Sequence, residues 1–158
     1  VLLAFLRAAA FVHQTHHWQT RGQTYYGDHL LFERLYGESV ALIDDIAERA
    51  VGSVPNMGHL LVQPLLQAGH LARLVWMFHP QEEHETQMGP DSYAATSLAV
   101  ERHLLDVIPI LRGRMEAAGR LSLGTDNLLQ GVSDKHESFI YLLQQRTKVG
   151  STYKYDRR

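Results

Sequence analysis

Four side chains with metal-binding chemistry lie on one stretch of this 158-residue chain: His29, Glu33, Asp44 and Glu48. At about 100° per residue, a helix through this stretch gathers them within an arc of roughly 100°. Imidazoles and carboxylates together suit iron, manganese or zinc better than copper(I) or calcium. Carboxylates also stabilise the higher charge of ferric iron, so such a set favours oxidation. One chain cannot close this set around one ion. Glu33 and Asp44 are eleven residues apart, about 16 Å along a helix, whereas iron or zinc ligands lie about 2 Å from the metal. The spacing is symmetric, however: His29/Glu48 and Glu33/Asp44 share one midpoint. If two copies of the helix pack antiparallel about a two-fold axis, His29 and Glu33 of one copy face Glu48 and Asp44 of its partner. The same contact then forms twice. Gly37, near the midpoint, lets two backbones approach. His17, near the end of the preceding helix, reaches the same site across a short turn. Any one of these residues alone reads as a solvated or satisfied polar group; the symmetric stripe is what singles them out.

The elements that must position them are helical. Val1 to about Thr20 has apolar residues at helical spacing without Gly or Pro, and Arg21, Gly22 and Gln23 break it. A second helix is predicted from Tyr25 to Val51, ending at Gly52. Its Leu31, Leu35, Leu42 and Ile46 form a core face. On a third face, Arg34–Glu38 and Asp45–Arg49 have the spacing of surface ion pairs. Ser53 to Pro90 contains Pro55, Pro64 and Pro80; His59 to Phe78 allows one or two shorter helices, and HPQEEHETQMGP reads as an exposed loop. Asp91 to about Ala118 is a long helix that Pro109 is expected to bend, and Gly119 ends it. Thr125 or Asp126 is expected to cap a last helix running to about Thr147. KVGSTYKYDRR reads as a polar tail. The expected architecture is one all-α domain over 1–158, with 148–158 as the tail. It is a four-helix bundle with a short helix in its long middle crossover, the ferritin-like arrangement.

Composition narrows the function. Fifteen Lys and Arg against seventeen Asp and Glu leave a formal charge of −2, so the whole chain is not marked as a nucleic-acid binder. There is no cysteine, which excludes disulfides and thiolate metal sites and is compatible with a cytoplasmic address. VLLAFLRAAAF is interrupted by Arg7 and reads as an amphipathic helix, not a signal peptide. The first residue is Val, not Met, which leaves room for a preceding tail. No apolar run is long enough to span a bilayer. No dinucleotide, Walker, H-E-x-x-H or G-x-S-x-G motif occurs. Asp44-x-x-x-Glu48 is not the E-x-x-H of a di-iron centre within one bundle. Glu101, His103, His136 and Glu137 do not complete a ligand set and read as bundle polar groups or surface. His13, one turn from His17, reads as structural or solvated, with secondary metal binding the lesser option; His16 is a further histidine without an assigned role. Trp76 and Met77 read as core or subunit contact.

HHWQTRG at 16–22, DHLLFERLYGE at 28–38 and DDIAER at 44–49 together resemble the Dps family of mini-ferritins, and LGTDNLLQGVSDKHESFIYLL resembles the family's last helix. The resemblance implies a hollow dodecamer built on two-fold pairs. Ferrous iron would be oxidised there by hydrogen peroxide, or O2, with ferric mineral stored inside and DNA protected from oxidative damage. By the motif, His17, His29 and Glu33 of one subunit and Asp44 and Glu48 of the other form the ferroxidase site, with Trp18 beside it. Zinc or manganese are possible substitutes for iron. Glu33 stands where the family usually has Asp. The loop before the last helix has Asp126 as its main acid, unlike the usual acidic pore. Lys148, Lys154, Arg157 and Arg158 could add phosphate contacts to DNA, multiplied over the subunits, which would make the protein nucleoid-associated; a solubilising tail is the preferred reading. The alternatives are a DNA-compacting or structural cage with weak or no ferroxidase activity, and a bundle holding zinc structurally.

Overall fold

A computed structural model describes residues 1–54, 56, 58–78 and 90–148. Five α-helices follow in order: α1 (Leu2–Gln19), α2 (Tyr25–Ser53), α3 (Pro64–Phe78), α4 (Pro90–Ala117) and α5 (Leu123–Thr147), with a 3₁₀ turn at Gly58–Val62 before α3. The four long helices form the bundle, and α3 lies in the crossover between α2 and α4. This is the expected ferritin-like architecture. The predicted loop at 79–90 and the tail beyond Lys148 fall almost wholly outside the described residues.

The helix ends have local causes. Gly22 takes a positive φ of 81° in the turn between α1 and α2, a conformation that costs glycine little. Gly119 (φ 64°) closes α4. There the N–H of Gly119 donates to Glu116 O and that of Arg120 to Met115 O, both at 2.9 Å, which satisfies carbonyls the helix leaves over. One expectation is corrected. α5 is capped by Ser122, not Thr125 or Asp126: Ser122 Oγ accepts from the Thr125 N–H at 3.1 Å. Ser122 is the residue in extended backbone, which is what an N-cap requires. α4 is one long helix with Pro109 inside it, as expected; the proline removes one hydrogen bond but does not end the element.

The core has two apolar clusters. One gathers Leu2, Leu6, Val12, Ile46, Leu104 and Leu129 among others. The second gathers Phe32, Leu35, Tyr93, Leu98, Phe139 and Leu143. Of the predicted core face of α2, Leu35 and Ile46 are buried, and Leu31 and Leu42 pack half-buried against the clusters. Between the clusters, all four long helices contribute buried polar side chains: His13 and His16 from α1, Ser39 from α2, Ser97 and Glu101 from α4, and His136 from α5.

Arg146 near the end of α5 ties the bundle at its other end. Its Nε donates to Asp28 Oδ1 at 2.5 Å and its Nη1 to Asp91 Oδ1 at 2.7 Å. Asp28 is buried, so this pair is partly desolvated and joins α2, α4 and α5. The two carboxylates hold the guanidinium well above its ordinary range, the Asp28 hydrogen bond contributing most.

Candidate metal site

α1 and α2 run side by side, and their facing ends bring His17 and His29 together. The two rings stack with centroids 3.7 Å apart. His17 Nδ1 lies 2.9 Å from the backbone oxygen of His29, and His29 Nδ1 lies 3.2 Å from that of His17. A carbonyl oxygen can only accept, so each Nδ1 must carry the proton and donate. In the neutral form of each ring this places the lone pair on Nε2. Metal-binding histidines are commonly oriented this way, with the second nitrogen donating to a backbone carbonyl. Tyr36 meets His17 edge-on and Tyr25 stacks on His29, so aromatic rings restrict both imidazoles. Trp18 is exposed.

The remaining predicted site residues behave differently. α2 is one unbroken helix from Tyr25 to Ser53, so His29, Glu33, Asp44 and Glu48 share one element as expected. Glu33, Asp44 and Glu48 are exposed and His29 is half-buried. The structure therefore brings His17 and His29 together and does not gather Glu33, Asp44 or Glu48 with them into a ligand set within the chain. Among the described residues of one chain, no group of three or more His, Asp or Glu is arranged to hold a metal ion. A closed site from these residues needs a second copy, as the spacing along α2 requires.

The ion pairs around the stripe are partly as predicted. Arg34 Nε donates to Glu38 Oε1 at 2.9 Å, and Lys135 reaches the other oxygen of Glu38 at 2.9 Å. Arg49 instead points across to the start of α5, where a Cβ on Gly124 would lie 3.6 Å from its Nη1. Asp126 is held by Arg112 through contacts of 2.7 and 3.2 Å. The guanidinium keeps its carboxyl below the usual range, so the main acid of that loop is already paired.

Sequence reasoning left the buried layer unpaired and divided between bundle polar groups and surface. Glu101 and His136, read as bundle polar groups or surface, are wholly buried, as are His13 and His16. The available signal was position: Glu101 lies between Val100 and Leu104, on the apolar side of α4. His103 is half-buried between Phe5 and Phe78, and Glu137 is exposed. Trp76 and Met77 are exposed on the single chain, so neither is core.

No family model matches the sequence, and no curated protein matches it by sequence. A search of solved structures finds the X-ray structure of Dps from Thermosynechococcus elongatus, with a TM-score of 0.73 over 97% of this chain and 89% of that one, at 21% identity. The chain thus has a Dps-like, ferritin-like fold. No helix among the described residues is long and apolar enough to cross a membrane.

Proposed function

We propose that this protein is a mini-ferritin of the Dps type, which oxidises ferrous iron at sites shared between two subunits and stores the ferric product. The observation that carries the reading is the reciprocal hydrogen bonding of His17 and His29. It leaves Nε2 of both rings free of these bonds, on a chain whose exposed Glu33, Asp44 and Glu48 follow His29 along α2, with Asp44 and Glu48 at symmetry-matched positions. In a two-fold pair, His17, His29 and Glu33 of one subunit and Asp44 and Glu48 of the other would receive the iron. Peroxide takes two electrons, one from each of two ferrous ions, and with two protons leaves as water. O2 is the other oxidant considered. The carboxylates favour the ferric product by charge.

The surface supports a partner. Leu65, Leu66, Trp76 and Met77 on α3 are exposed, as are Phe11 and Val40. Phe11, Tyr36, Val40, Ile43 and Leu71 line an open groove where α1, α2 and α3 meet. An apolar face of this kind marks an interaction surface. A closed homo-oligomer, on the Dps pattern a dodecamer, would cover it and enclose a space for mineral. Protection of DNA would follow from removing iron and peroxide together.

The test is anaerobic ferrous loading followed by peroxide, watching ferric absorbance. Wild type is expected to oxidise rapidly, and His29→Ala and Asp44→Ala each to slow the reaction at least about tenfold. Equal rates in all three proteins would mean that this stripe is not the iron site.

A further inference from the structure

The middle of the bundle holds ionisable side chains that the proposed iron site does not use. Glu101, His13 and His136 have no solvent exposure. His13 Nε2 lies 2.6 Å from Glu101 Oε1, and His136 Nδ1 lies 2.5 Å from Glu101 Oε2. One carboxylate therefore joins three helices, with one imidazole on each oxygen. Both contacts are at the short end for N–H···O bonds, where a charged partner strengthens the bond. Behind this trio, Ser97 Oγ lies 3.1 Å from His13 Nδ1 and 2.8 Å from His16 Nδ1.

The layer separates the two apolar clusters, so its charge has no water to turn to. Burial alone pushes the Glu101 carboxyl up. The hydrogen bonds from His13 and His136 are the largest effects opposing that, and the carboxyl is held below the ordinary glutamate range. Protonating Glu101 would place an O–H against an imidazole N–H, two donors facing each other. One ring would then have to give up its contact or shift its proton. For His136 that shift puts a proton on Nε2, which is buried and has no hydrogen-bond partner among the described residues. An unsatisfied buried donor is costly.

We propose that His13, Glu101 and His136 form an acid-operated latch: an ionised carboxylate at the bundle centre that ties α4 to α1 and α5, and lets go when it is protonated. The groups facing it are known from every packed element. α1 contributes His13 and His16, α4 contributes Ser97, with Tyr93 stacked on His16, and α5 contributes His136. α2 contributes Phe32, edge-on to His16, and Ser39, whose hydroxyl is committed to Leu35 O at 2.7 Å. The ionisable groups of α3, His70 and Arg73, are exposed. The sign follows from the lowered carboxyl. Its stabilisation is present above the unfolded-state value and is lost as pH falls through the folded-state value. Glutamine at this position keeps the shape: its oxygen accepts from His136 Nδ1 and its N–H donates to His13 Nε2, that ring's proton moving to Nδ1, 3.1 Å from Ser97 Oγ, with no charge to lose.

Urea unfolding of the assembled protein from pH 7 down to pH 3, at one protein concentration, compares wild type with Glu101→Gln. Relative to the variant, the wild-type unfolding constant is expected to climb by up to about tenfold per pH unit below the glutamate range, the slope of one proton. Parallel curves would overturn the latch. Infrared spectra of the ¹³C-glutamate-labelled wild type at pH 7 give a readout that needs no variant. Only ionised carboxylate bands are expected, and a buried protonated carboxyl band at that pH would overturn the proposal by itself.

Discussion

His17 and His29 owe their orientation to the main chain. Each ring gives its Nδ1 proton to the other residue's carbonyl, which fixes the tautomer that the proposed iron site would use. Glu33 stands one turn beyond His29, exposed and with its acceptor atoms in solvent. Its removal should therefore touch chemistry and not folding. Glu33→Ala is expected to slow ferrous oxidation at least about tenfold while leaving the melting temperature within a degree or two of wild type; the change at an exposed site is within about 0.5 kcal/mol. A large fall in melting temperature would instead place Glu33 in the fold. At this scale the sequence was readable where spacing along one helix carries the information. It was not readable for Glu101, whose partners lie 88 and 35 residues away in the chain. No local pattern encodes those pairings, because they arise only when three helices meet.

At the scale of the elements, apolar periodicity located all four long helices to within a few residues. The caps were less legible. Several oxygen-bearing residues compete to start α5, and the backbone at Ser122 decides among them. The Asp28–Arg146–Asp91 tie was also invisible in the sequence, since Asp28 reads as an ordinary first-turn acid of α2. It matters because it fastens the start of α2, next to His29, to the end of α5. Asp28→Asn is expected to destabilise the protein by on the order of 2–3 kcal/mol. It leaves Arg146 facing a neutral partner in a partly desolvated place, with the loss moderated by the solvent that still reaches the arginine. Denaturant unfolding at pH 7 measures this. A change under about 0.5 kcal/mol would mean that the pair behaves as an exposed one.

For the whole molecule, α3 buries Gln67 but leaves Leu65 at 90% and Trp76 at 68% exposure, the kind of apolar face that marks an interaction surface. The two-fold arrangement makes a sharp claim about mixtures. His29→Ala and Asp44→Ala subunits are each expected to be at least about tenfold slower alone. In a mixed pair one shared site has lost both groups and the other has kept both. Random co-assembly of equal amounts should therefore recover about a quarter of the wild-type rate, since half the pairs are mixed and each has one intact site. No recovery on mixing, with assembly verified by light scattering, would rule out a site shared in this way.

The sequence by itself determined the all-α class, the helix order, the long crossover and the symmetric stripe on α2. These depend on periodicity and on spacing within one element, and both are local quantities. Only the tertiary structure decided that Nδ1 of His17 and His29 is tied to the main chain, that Ser122 caps α5, and that a carboxylate lies between two imidazoles in the middle of the bundle. Each of these depends on which faces of distant helices meet. Burial then changes a side chain's chemistry: a glutamate that would be an ordinary acid in water becomes, between two apolar clusters, a charge held in place by its neighbours.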